Sequence, residues 1–352
     1  MTSIGILGAG QLGRMLALAG YPLGHRFRFL DPASDAPAGR LADHLAFDYT
    51  DVSALERFAE DLDVVTYEFE NVPVKAARYL EKIAAVYPPP MALEKAQDRF
   101  VEKTFFCELG IPTPEFATDI RNGIGFPAVL KTRRFGYDGK GQRIVNSAAD
   151  VENADADKMI LEEFVAFDRE LSIIGVRNIS GETEFYPLVE NRHRDGILRL
   201  SLVGGSISEH LQVQAQHYCS MVMAALNYVG VLAIEFFEMD GRLLANEMAP
   251  RVHNSGHWTI EGAVTSQFEN HLRAVTDAPL GSTSPLGACA MVNLIGELPD
   301  VKSILKIDGA HVHLYDKAPR PNRKIGHITF VERDVEALHE KLELLKEIAD
   351  VV

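Results

Sequence analysis

The chain has 352 residues, 47% of them apolar and 24% charged, which is ordinary for a soluble globular protein of about two or three domains. Its formal net charge is −15. This charge excludes nucleic acid and anionic membranes as main partners, because both attract a basic surface. A small anionic substrate stays open, since it needs only a local basic pocket.

The three cysteines, Cys107, Cys219 and Cys289, lie far apart and form no Cys-x-x-Cys motif. Such sparse usage indicates a reducing compartment without disulfides, so each is expected to be a buried apolar side chain. No apolar run approaches the ~18 residues that a membrane span needs. The first residues carry no basic segment of a signal peptide. We therefore expect a cytoplasmic protein.

Strand and helix patterns alternate over roughly the first 100 residues, which predicts a parallel sheet with helices on both faces. The strands are expected at 3–7, 26–31, 63–69 and 84–88, and the helices at 11–20, 51–60 and 73–83. A helix at 92–110 and the extended segment IPTPEF lead into the next region, because proline disfavours helix in the residue before it.

Two further regions follow. A small β-rich region is expected to hold strands near 127–132, 141–145, 158–162 and 170–177. A larger α+β region begins near 183, with helices at about 208–227, 259–275 and 334–349 and a hairpin at 231–248. The predicted domains are a Rossmann-like domain at 1–100, a linker helix and lid at 101–182, and a C-terminal α+β domain at 183–352.

A glycine-rich turn follows the first predicted strand. Gly8, Gly10 and Gly13 have the Gly-x-Gly-x-x-Gly spacing of a dinucleotide-binding turn, and Asp31 ends the second strand where such a site places its ribose-binding acid. A bland alternative remains, in which the glycines only let helix and strand pack closely.

A second glycine-rich loop, LKTRRFGYDGKGQ, spans 130–142 between two apolar strands. Its glycines expose backbone N–H groups that can surround phosphate oxygens, and Lys131 and Lys140 add positive charge. A flexible surface hairpin with solvated lysines is the alternative. Next along the chain, ILEEFVAFDREL can supply backbone groups for adenine and a carboxylate for ribose, or merely a solvated acidic edge.

Two carboxylates occupy opposite arms of the hairpin GVLAIEFFEMDGRLLANEMAPR. A two-residue turn at Asp240–Gly241 would send Glu235 and Glu247 to opposite faces, whereas a three-residue turn would bring them to the same face. Burying both without a partner is costly, and oxygen ligands of this kind suit Mg²⁺. The alternative is that one glutamate pairs with a nearby arginine such as Arg251.

Taken in chain order, these motifs resemble an ATP-grasp ligase. The segments GILGAGQLGRM, YEFENV, KTRRFGYDGKGQ, NEMAPRVHNSGHWT and RKIGH resemble, more closely, the N5-carboxyaminoimidazole ribonucleotide synthetase family of purine biosynthesis. The resemblance covers essentially the whole chain. It implies an ATP-grasp fold of mixed α/β and α+β class, no dinucleotide, a homodimer, and ATP with Mg²⁺ (Mn²⁺ substituting) as cofactors. A phosphate would meet the N-terminus of the first helix, and Asp31 would be structural.

The resemblance also implies the reaction. Bicarbonate attacks the γ-phosphate of ATP, and the carboxyphosphate formed, or CO₂ released from it, carboxylates the exocyclic amine of 5-aminoimidazole ribonucleotide. A closed lid over 133–142 would keep water from the labile intermediate. The metal ligands would be Glu235 and Glu247, and the catalytic residues Arg251, His253, Asn254 and Lys131.

The remaining roles follow the same resemblance. The ATP contacts would be Arg99, Lys131, Gly136, Tyr137, Asp138, Gly139, Lys140, Gly141, Gln142, Glu162, Glu163, Phe164, Val165, Glu170, His193, Asn246 and Glu247. The ribonucleotide contacts would be Gln11, Leu12, Glu68, Tyr137, Asp138, Arg251, Lys317, Arg323 and Lys324. For His193 a structural role, and for the three basic residues after 316 a solvated turn, stay open.

Other functions remain to be separated. Another ATP-grasp ligase that forms an acyl phosphate, such as a formate-using glycinamide ribonucleotide transformylase or a biotin carboxylase, would share most motifs. A nicotinamide oxidoreductase built on Gly8–Gly13 would leave the second loop and the glutamate hairpin unexplained. A nucleotide-binding module without turnover would not need Lys131 and the full carboxylate set.

Overall fold

The computed structural model of the chain describes residues 1–121, 123–136 and 139–348. In this part of the chain the strands form three sheets, of five, four and nine strands. The first is parallel and the other two are antiparallel. The predicted ATP-grasp architecture, with a Rossmann-like sheet, a small β-rich unit and a larger α+β unit, is confirmed.

The N-terminal sheet has the strand order β3-β2-β1-β4-β5. Its apolar strands are buried on both faces, with one core cluster on each side, as expected for a parallel sheet covered by helices. The elements are β1 (Ser3–Leu7), α1 (Gln11–Gly20), β2 (Arg26–Leu30), β3 (Asp43–Leu45), α2 (Val52–Ala59), β4 (Val64–Tyr67), α3 (Val74–Leu80) and β5 (Ala85–Val86). Strand β3 was not predicted.

Two helices, α4 (Pro90–Ala96) and α5 (Arg99–Glu108), take the place of the single helix predicted at 92–110. The prediction of one helix is wrong because Asp98 has extended backbone and caps α5, its Oδ1 accepting from the Phe100 N–H at 3.1 Å. Aspartate is favoured at such a position because its side chain replaces a missing helical acceptor.

The small sheet has the order β6-β9-β7-β8, formed by β6 (Phe116–Ala117), β7 (Ala128–Thr132), β8 (Gln142–Val145) and β9 (Met159–Glu163). The strand predicted at 170–177 does not belong to it. That strand, β10 (Arg169–Arg177), pairs along its whole length with β14 (230–239) of the large sheet, from Arg169–Glu238 to Arg177–Gly230. Its side chains 171–176 are all buried, which a small two-layer unit does not provide.

The large sheet has the order β15-β14-β10-β12-β13-β16-β18-β17, with β11 beside β10. Its remaining elements are β11 (Thr183–Phe185), β12 (Val189–Arg194), β13 (Ile197–Val203), α6 (Glu209–Ala225), β14 (Gly230–Met239), β15 (Arg242–Ala249), α7 (Thr259–Gly262), α8 (Gln267–Val275), β16 (Ala288–Ile295), α9 (Val301–Ile304), β17 (His311–Leu314), β18 (Lys324–Glu332) and α10 (Val335–Ile348). The helix predicted at 259–275 is interrupted, because Ser266 caps a new helix by accepting from the Glu269 N–H at 3.1 Å.

Candidate active site

A cavity of about 780 Å³ lies where the carboxyl ends of β1 and β4, helix α5, the turn after β7 and the β14–β15 hairpin meet. It brings together most of the residues predicted from the sequence: Gln11, Leu12, Glu68, Arg99, Lys131, Gly136, Gly139, Lys140, Gln142, Glu170, His193, Glu235, Asn246, Glu247, Arg251, His253, Asn254, Lys317, Arg323 and Lys324. Gly141 and the segment 162–165 do not line it. Tyr137 and Asp138 lie outside the described residues.

The glutamate hairpin adopts neither of the two predicted registers. Met239 pairs with Arg242, so the turn has two residues, and Phe236 pairs with Ala245. The next pair is Glu235 with Glu247, which leaves Asn246 as an extra residue in β15. This β-bulge shifts the alternation of side chains by one. The two glutamates therefore lie directly opposite each other despite the tight turn.

The two opposed carboxylates have different environments. Burial and the neighbouring Glu247 raise the pKa of Glu235 to about 7. Burial acts the same way on Glu247, but Arg99, whose Nη1 lies 2.7 Å from Glu247 Oε2, outweighs it and lowers the pKa of Glu247 to about 2. The alternative in which an arginine pairs with a glutamate is thus realised, with Arg99 in place of Arg251.

Helix α5 covers the edge of β15 beside the bulge. Lys103 Nζ donates to the Ala245 carbonyl at 3.3 Å, and Glu102 Oε1 accepts from the Met248 N–H at 2.7 Å. Both side chains are buried. A buried backbone group without a hydrogen-bond partner destabilises the fold, so these two side chains bind the edge of β15 as a neighbouring strand would. Successive residues of one helix thereby fix the backbone on both sides of Asn246 and Glu247.

Lys131 is held by a buried carboxylate. Its Nζ lies 2.9 Å from Glu162 Oε2 and 3.3 Å from Asn246 Oδ1, and Lys103 Nζ lies 3.2 Å from the same glutamate oxygen. Burial opposes the charge on Glu162, but Lys103 and Lys131 outweigh it and lower its pKa to about 2. Glu162 therefore orients Lys131 toward the cavity.

The end of β9 is more open. Glu163 is exposed, and its Oε2 accepts from the Glu115 N–H at 3.3 Å. Phe164 is 41% exposed, whereas Val165 is buried. Nearby, Glu170 is hydrogen-bonded to His193. Burial opposes the charge on His193, but Glu170 and Glu235 outweigh it and raise its pKa.

The backbone of the second glycine-rich loop lies close to the β12–β13 turn at Gly139. Gly139 and Gly141 have φ of +72° and +78°, a conformation that other residues rarely adopt. A Cβ on Gly139 would lie 2.7 Å from the Asp195 carbonyl oxygen, and a Cβ on Gly196 would clash with Gly139 Cα. This close approach of the loop to the large sheet therefore requires glycine at both positions.

The first glycine-rich turn is capped from within the chain. Glu68 accepts from the N–H groups of Gly10 at 2.7 Å and Gly13 at 2.9 Å, and Asp31 Oδ2 accepts from Ala9 N–H at 3.0 Å. A Cβ on Gly8 would lie 2.5 Å from Glu68 Cγ. The donors expected to meet a substrate phosphate are thus already used by carboxylates. Asp31 is structural, as predicted from the family resemblance.

The segment after the hairpin is tied to two other parts of the chain. Arg251 Nε pairs with Glu70, and its Nη1 donates to the Val252 carbonyl at 3.0 Å. Asn254 forms a reciprocal amide pair with buried Asn293, at 3.0 and 2.6 Å. His253 Nε2 lies 3.4 Å from Glu235 Oε1. The predicted bicarbonate residues therefore lie beside the carboxylate pair.

Basic side chains of the β17–β18 connection form the opposite wall. Lys317, Arg320, Arg323 and Lys324 all line the cavity. Lys317 Nζ donates to Gln11 Oε1 and so connects this segment to the start of α1. A local basic wall of this kind can hold an anionic substrate although the whole chain carries net negative charge.

Several side chains at the cavity were missed by the sequence analysis. Glu70, Glu102, Lys103, Arg133, Asn293 and Arg320 contact or support the predicted residues. Glu70 stands two residues after Glu68, and Glu102 and Lys103 stand one turn after Arg99. Arg133 stands two residues after Lys131 and Arg320 three after Lys317, so proximity to a predicted residue was the available signal for all of them except Asn293.

Three further observations concern the described residues only. No group of three or more His, Cys, Asp or Glu side chains there could hold a metal ion by itself. No helix in that part of the chain is long and apolar enough to cross a membrane. Cys219 and Cys289 are buried as expected, but Cys107 is exposed near the end of α5, so that prediction is wrong.

Comparison with known protein families divides the chain into three matched parts. Residues 1–97 match the ribonucleotide synthetase preATP-grasp domain, and residues 104–268 match the ATP-grasp domain. Residues 289–341 match the phosphoribosylaminoimidazole carboxylase C-terminal domain.

Individual relatives match along nearly their whole length. An N5-carboxyaminoimidazole ribonucleotide synthase of Pseudomonas aeruginosa is 53% identical over 339 residues, with 93% of each chain covered. The crystal structure of the synthetase from Thermus thermophilus superposes with a TM-score of 0.95 at 56% identity, covering 99% of each chain. A synthase from Aspergillus clavatus, in complex with ADP and 5-aminoimidazole ribonucleotide, superposes with a TM-score of 0.90 at 31% identity, covering 100% of this chain and 99% of that one.

The three sheets and the cavity between them define an ATP-grasp enzyme, an ATP-dependent ligase. Within that class, the chain belongs to the N5-carboxyaminoimidazole ribonucleotide synthase family of purine biosynthesis. The prediction made from the sequence motifs is confirmed.

Proposed function

We propose that the cavity binds ATP, bicarbonate and 5-aminoimidazole ribonucleotide together and transfers a carboxyl group to the exocyclic amine of the ribonucleotide. The observation that carries this proposal is the continuity of one cavity from Lys131 and Glu247 to Arg251 and on to Lys324. A related synthase was crystallised with ADP and 5-aminoimidazole ribonucleotide, and another structure of the Aspergillus clavatus enzyme contains ATP.

ATP is assigned to the part of the cavity between the small and large sheets. Lys131 and the backbone N–H groups of the loop around Gly139 neutralise the phosphoryl oxygens, and Glu170 faces the ribose. Positioning and charge neutralisation are the main contributions that a protein makes to phosphoryl transfer. The segment 162–165 is the candidate for the adenine, with Phe164 and Val165 beyond the buried carboxylate of Glu162.

The donor set fits a divalent cation. Glu235 and Glu247 lie opposite each other at the bulge and offer only oxygen ligands, and two partly buried carboxylates facing each other repel without a cation between them. These two residues would hold Mg²⁺, with Mn²⁺ as a substitute, and substrate oxygens would complete its coordination. The ion would supply positive charge at the transferred phosphoryl group. Arg99, which pairs with Glu247, would share that carboxylate with the ion.

Bicarbonate is assigned to the surroundings of Arg251 and Asn254. A guanidinium suits a planar oxyanion and lowers the cost of bringing two anions together. The ion pair with Glu70 fixes the direction of the Arg251 guanidinium. The labile carboxyphosphate, formed as ADP leaves, requires a site from which water is excluded, and we assign its closure to the loop over 133–142.

The 5′-phosphate of the ribonucleotide is assigned to the basic wall, since Glu68 already uses the donors of Gly10 and Gly13. Lys317, Arg320, Arg323 and Lys324 offer positive charge there. Gln11 and Leu12 contribute to the same end of the cavity. The predictions of a homodimer and of a cytoplasmic location remain predictions, to be tested by sedimentation and by cell fractionation.

The test measures ADP release with 5-aminoimidazole ribonucleotide and either bicarbonate or formate, together with incorporation of labelled carbon. We expect ADP and labelled carbamate with bicarbonate only. Release that depends on formate and glycinamide ribonucleotide would instead identify a transformylase and contradict the proposal. A variant without positive charge at the wall, Arg320→Gln, serves to test the phosphate assignment through the KM of the ribonucleotide.

A further inference from the structure

A chain of buried polar side chains runs across three strands of the large sheet and ends at His253. Ser201 Oγ lies 2.7 Å from Asn191 Oδ1, Asn191 Nδ2 lies 2.8 Å from Ser172 Oγ, and Ser172 Oγ lies 2.8 Å from Ser255 Oγ. Ser255 Oγ lies 2.9 Å from His253 Nδ1. All four members are at most 3% exposed. Polar groups in such a place are costly unless they are hydrogen-bonded, so the chain is a specific arrangement.

The direction of every hydrogen bond in the chain follows from one backbone group. The Ser255 N–H points at His253 Nδ1 at 3.3 Å, and a backbone N–H can only donate. His253 Nδ1 is therefore an acceptor, and the Ser255 hydroxyl must also donate to it. Ser255 Oγ then accepts from the Ser172 hydroxyl.

The same reasoning continues to the far end. Since Ser172 donates to Ser255, it accepts from Asn191, which must present its amide nitrogen. The amide oxygen of Asn191 then faces Ser201, which donates its hydroxyl proton. No member of the chain is free to reverse without breaking a hydrogen bond at the next one.

The consequence falls on the other ring nitrogen of His253. In a neutral imidazole whose Nδ1 accepts, the proton is on Nε2. That nitrogen lies 3.4 Å from Glu235 Oε1, in the wall of the cavity. Because Nδ1 faces both the hydroxyl and the backbone N–H of Ser255 as an acceptor, it carries no proton and the ring is neutral.

We propose that this chain locks His253 as a neutral Nε2–H donor, so that it holds an oxygen of Glu235 or of bicarbonate and takes up no proton in the reaction. Ser255, Ser172, Asn191 and Ser201 are its positioning residues. The identity of the oxygen held rests on the function proposed above, whereas the tautomer does not.

The tautomer is measured first, by long-range ¹H–¹⁵N correlation on the intact protein labelled in histidine, with His253 assigned from its loss in His253→Gln. We expect Nδ1 to show the shift of an unprotonated nitrogen and Nε2 that of a protonated one. A wild-type spectrum with the proton on Nδ1, or on both nitrogens at neutral pH, overturns the proposal. This result is independent of whether the substrates are correctly assigned.

Asn191→Asp then tests the direction of the chain. An ionised aspartate cannot donate to Ser172, so Ser172 donates to it and becomes free to accept from Ser255, whose hydroxyl then turns away from His253 Nδ1. We expect the Nδ1 resonance of His253 to lose its hydrogen-bonded shift. Asn270→Asp, at another buried asparagine whose partners are Tyr186 and Gly281 and not members of the chain, is the matched control and leaves that shift unchanged. Should Asn191→Asp fail to fold, Ser255→Ala removes the hydroxyl that donates to Nδ1, and an unchanged shift in that folded variant counts against the chain.

The turnover of His253 variants distinguishes a hydrogen-bond donor from a general base at this position. The amide nitrogen of glutamine can reach the place of Nε2, whereas that of asparagine lies near Nδ1, and neither can accept a proton at neutral pH. We expect His253→Gln to retain roughly tenfold more kcat than His253→Asn or His253→Ala, in line with the net value of one hydrogen bond. Equal loss in all three variants would indicate proton transfer by His253 and contradict the proposal.

Discussion

Glu68 accepts a hydrogen bond from the backbone N–H of Gly10 at 2.7 Å, with Gly13 as its second donor. A carboxylate from β4 thus occupies the positive end of α1, the place where a dinucleotide would put its pyrophosphate. The glycine spacing of a nucleotide-binding turn is used here to admit a side chain of the same domain.

Because this position is filled by a carboxylate, we expect no binding of NAD or NADH. Titration followed by nicotinamide fluorescence checks this. Glu68→Ala leaves two N–H groups without an acceptor and should lower the free energy of unfolding by about 1–3 kcal/mol. Glu60→Ala, at an exposed position, is the control. Saturable NADH binding by the wild-type protein would show that Glu68 yields to phosphate.

Glu247→Gln should reduce ATP turnover by about 100-fold or more, because it removes charge that holds the cation at the transferred phosphoryl group. The fold should be kept, since the bulge depends on backbone groups that Glu102 and Lys103 hold. Asp240→Asn at the exposed turn is the control on the same hairpin. Near-normal turnover in saturating Mg²⁺ would remove Glu247 from the ligands.

Arg251→Ala should reduce bicarbonate-dependent ADP formation by about two to three orders of magnitude, as is typical for loss of a group that meets developing charge. Lys324→Ala should mainly raise the KM of the ribonucleotide and uncouple ADP release from carbamate formation. Both products are assayed separately in each variant.

Loss of Arg251 also leaves Glu70 buried without its partner. The double variant Arg251→Ala with Glu70→Gln removes that charge, and it should regain stability without regaining ADP formation. If Arg251→Ala keeps full ADP release and loses only ribonucleotide affinity, the bicarbonate pocket is assigned wrongly.

The pKa of Glu162 is about 2 in the folded protein, against an ordinary 4.5. A carboxylate with a lowered folded pKa stabilises fully above its unfolded pKa, and this contribution is lost as the pH falls from about 4.5 toward 2. Glu162→Gln should therefore cost about 3–5 kcal/mol at pH 7, since two buried lysines lose their counter-charge. Urea unfolding should show this difference shrinking below pH 4.5. Glu163→Gln, at the exposed neighbouring residue, is the control, and its effect on the free energy of unfolding should not change with pH.

Limited trypsin digestion tests closure of the loop at 133–142, which contains Arg133, Arg134 and Lys140. ATP should slow cleavage there. Gly196→Ala should speed it and raise the KM of ATP, because the added Cβ clashes with Gly139. Gly110→Ala adds a Cβ at a similar positive φ but in open space, and it controls for backbone strain alone. Equal cleavage rates with and without ATP would contradict closure.

The sequence predicted local features well and distant pairings poorly. The order of strands and helices and most residues of the cavity follow from periodicity and motifs. Glu68 and Gly10 are 58 residues apart, and Arg251 and Glu70 are 181 apart, so no local pattern connects them. The sequence contained a signal for the helix breaks at Asp98 and Ser266, because both residue types cap helices. The helical spacing of apolar residues continues on either side of each break, and the sequence analysis therefore predicted a single helix.

The bulge at Asn246 sets a rule for chain length that is independent of residue type. Eleven positions separate Glu235 from Glu247; Asp240 and Gly241 form the turn, and Asn246 is the one strand residue without a partner across the hairpin. Removing or adding a single position anywhere between them would turn one glutamate away from the cavity unless a compensating bulge formed. The tip at Asp240–Gly241 is restricted to residue types that accept its positive φ of +51° and +70°, and homologous genes should tolerate gaps in this interval only in steps of two residues.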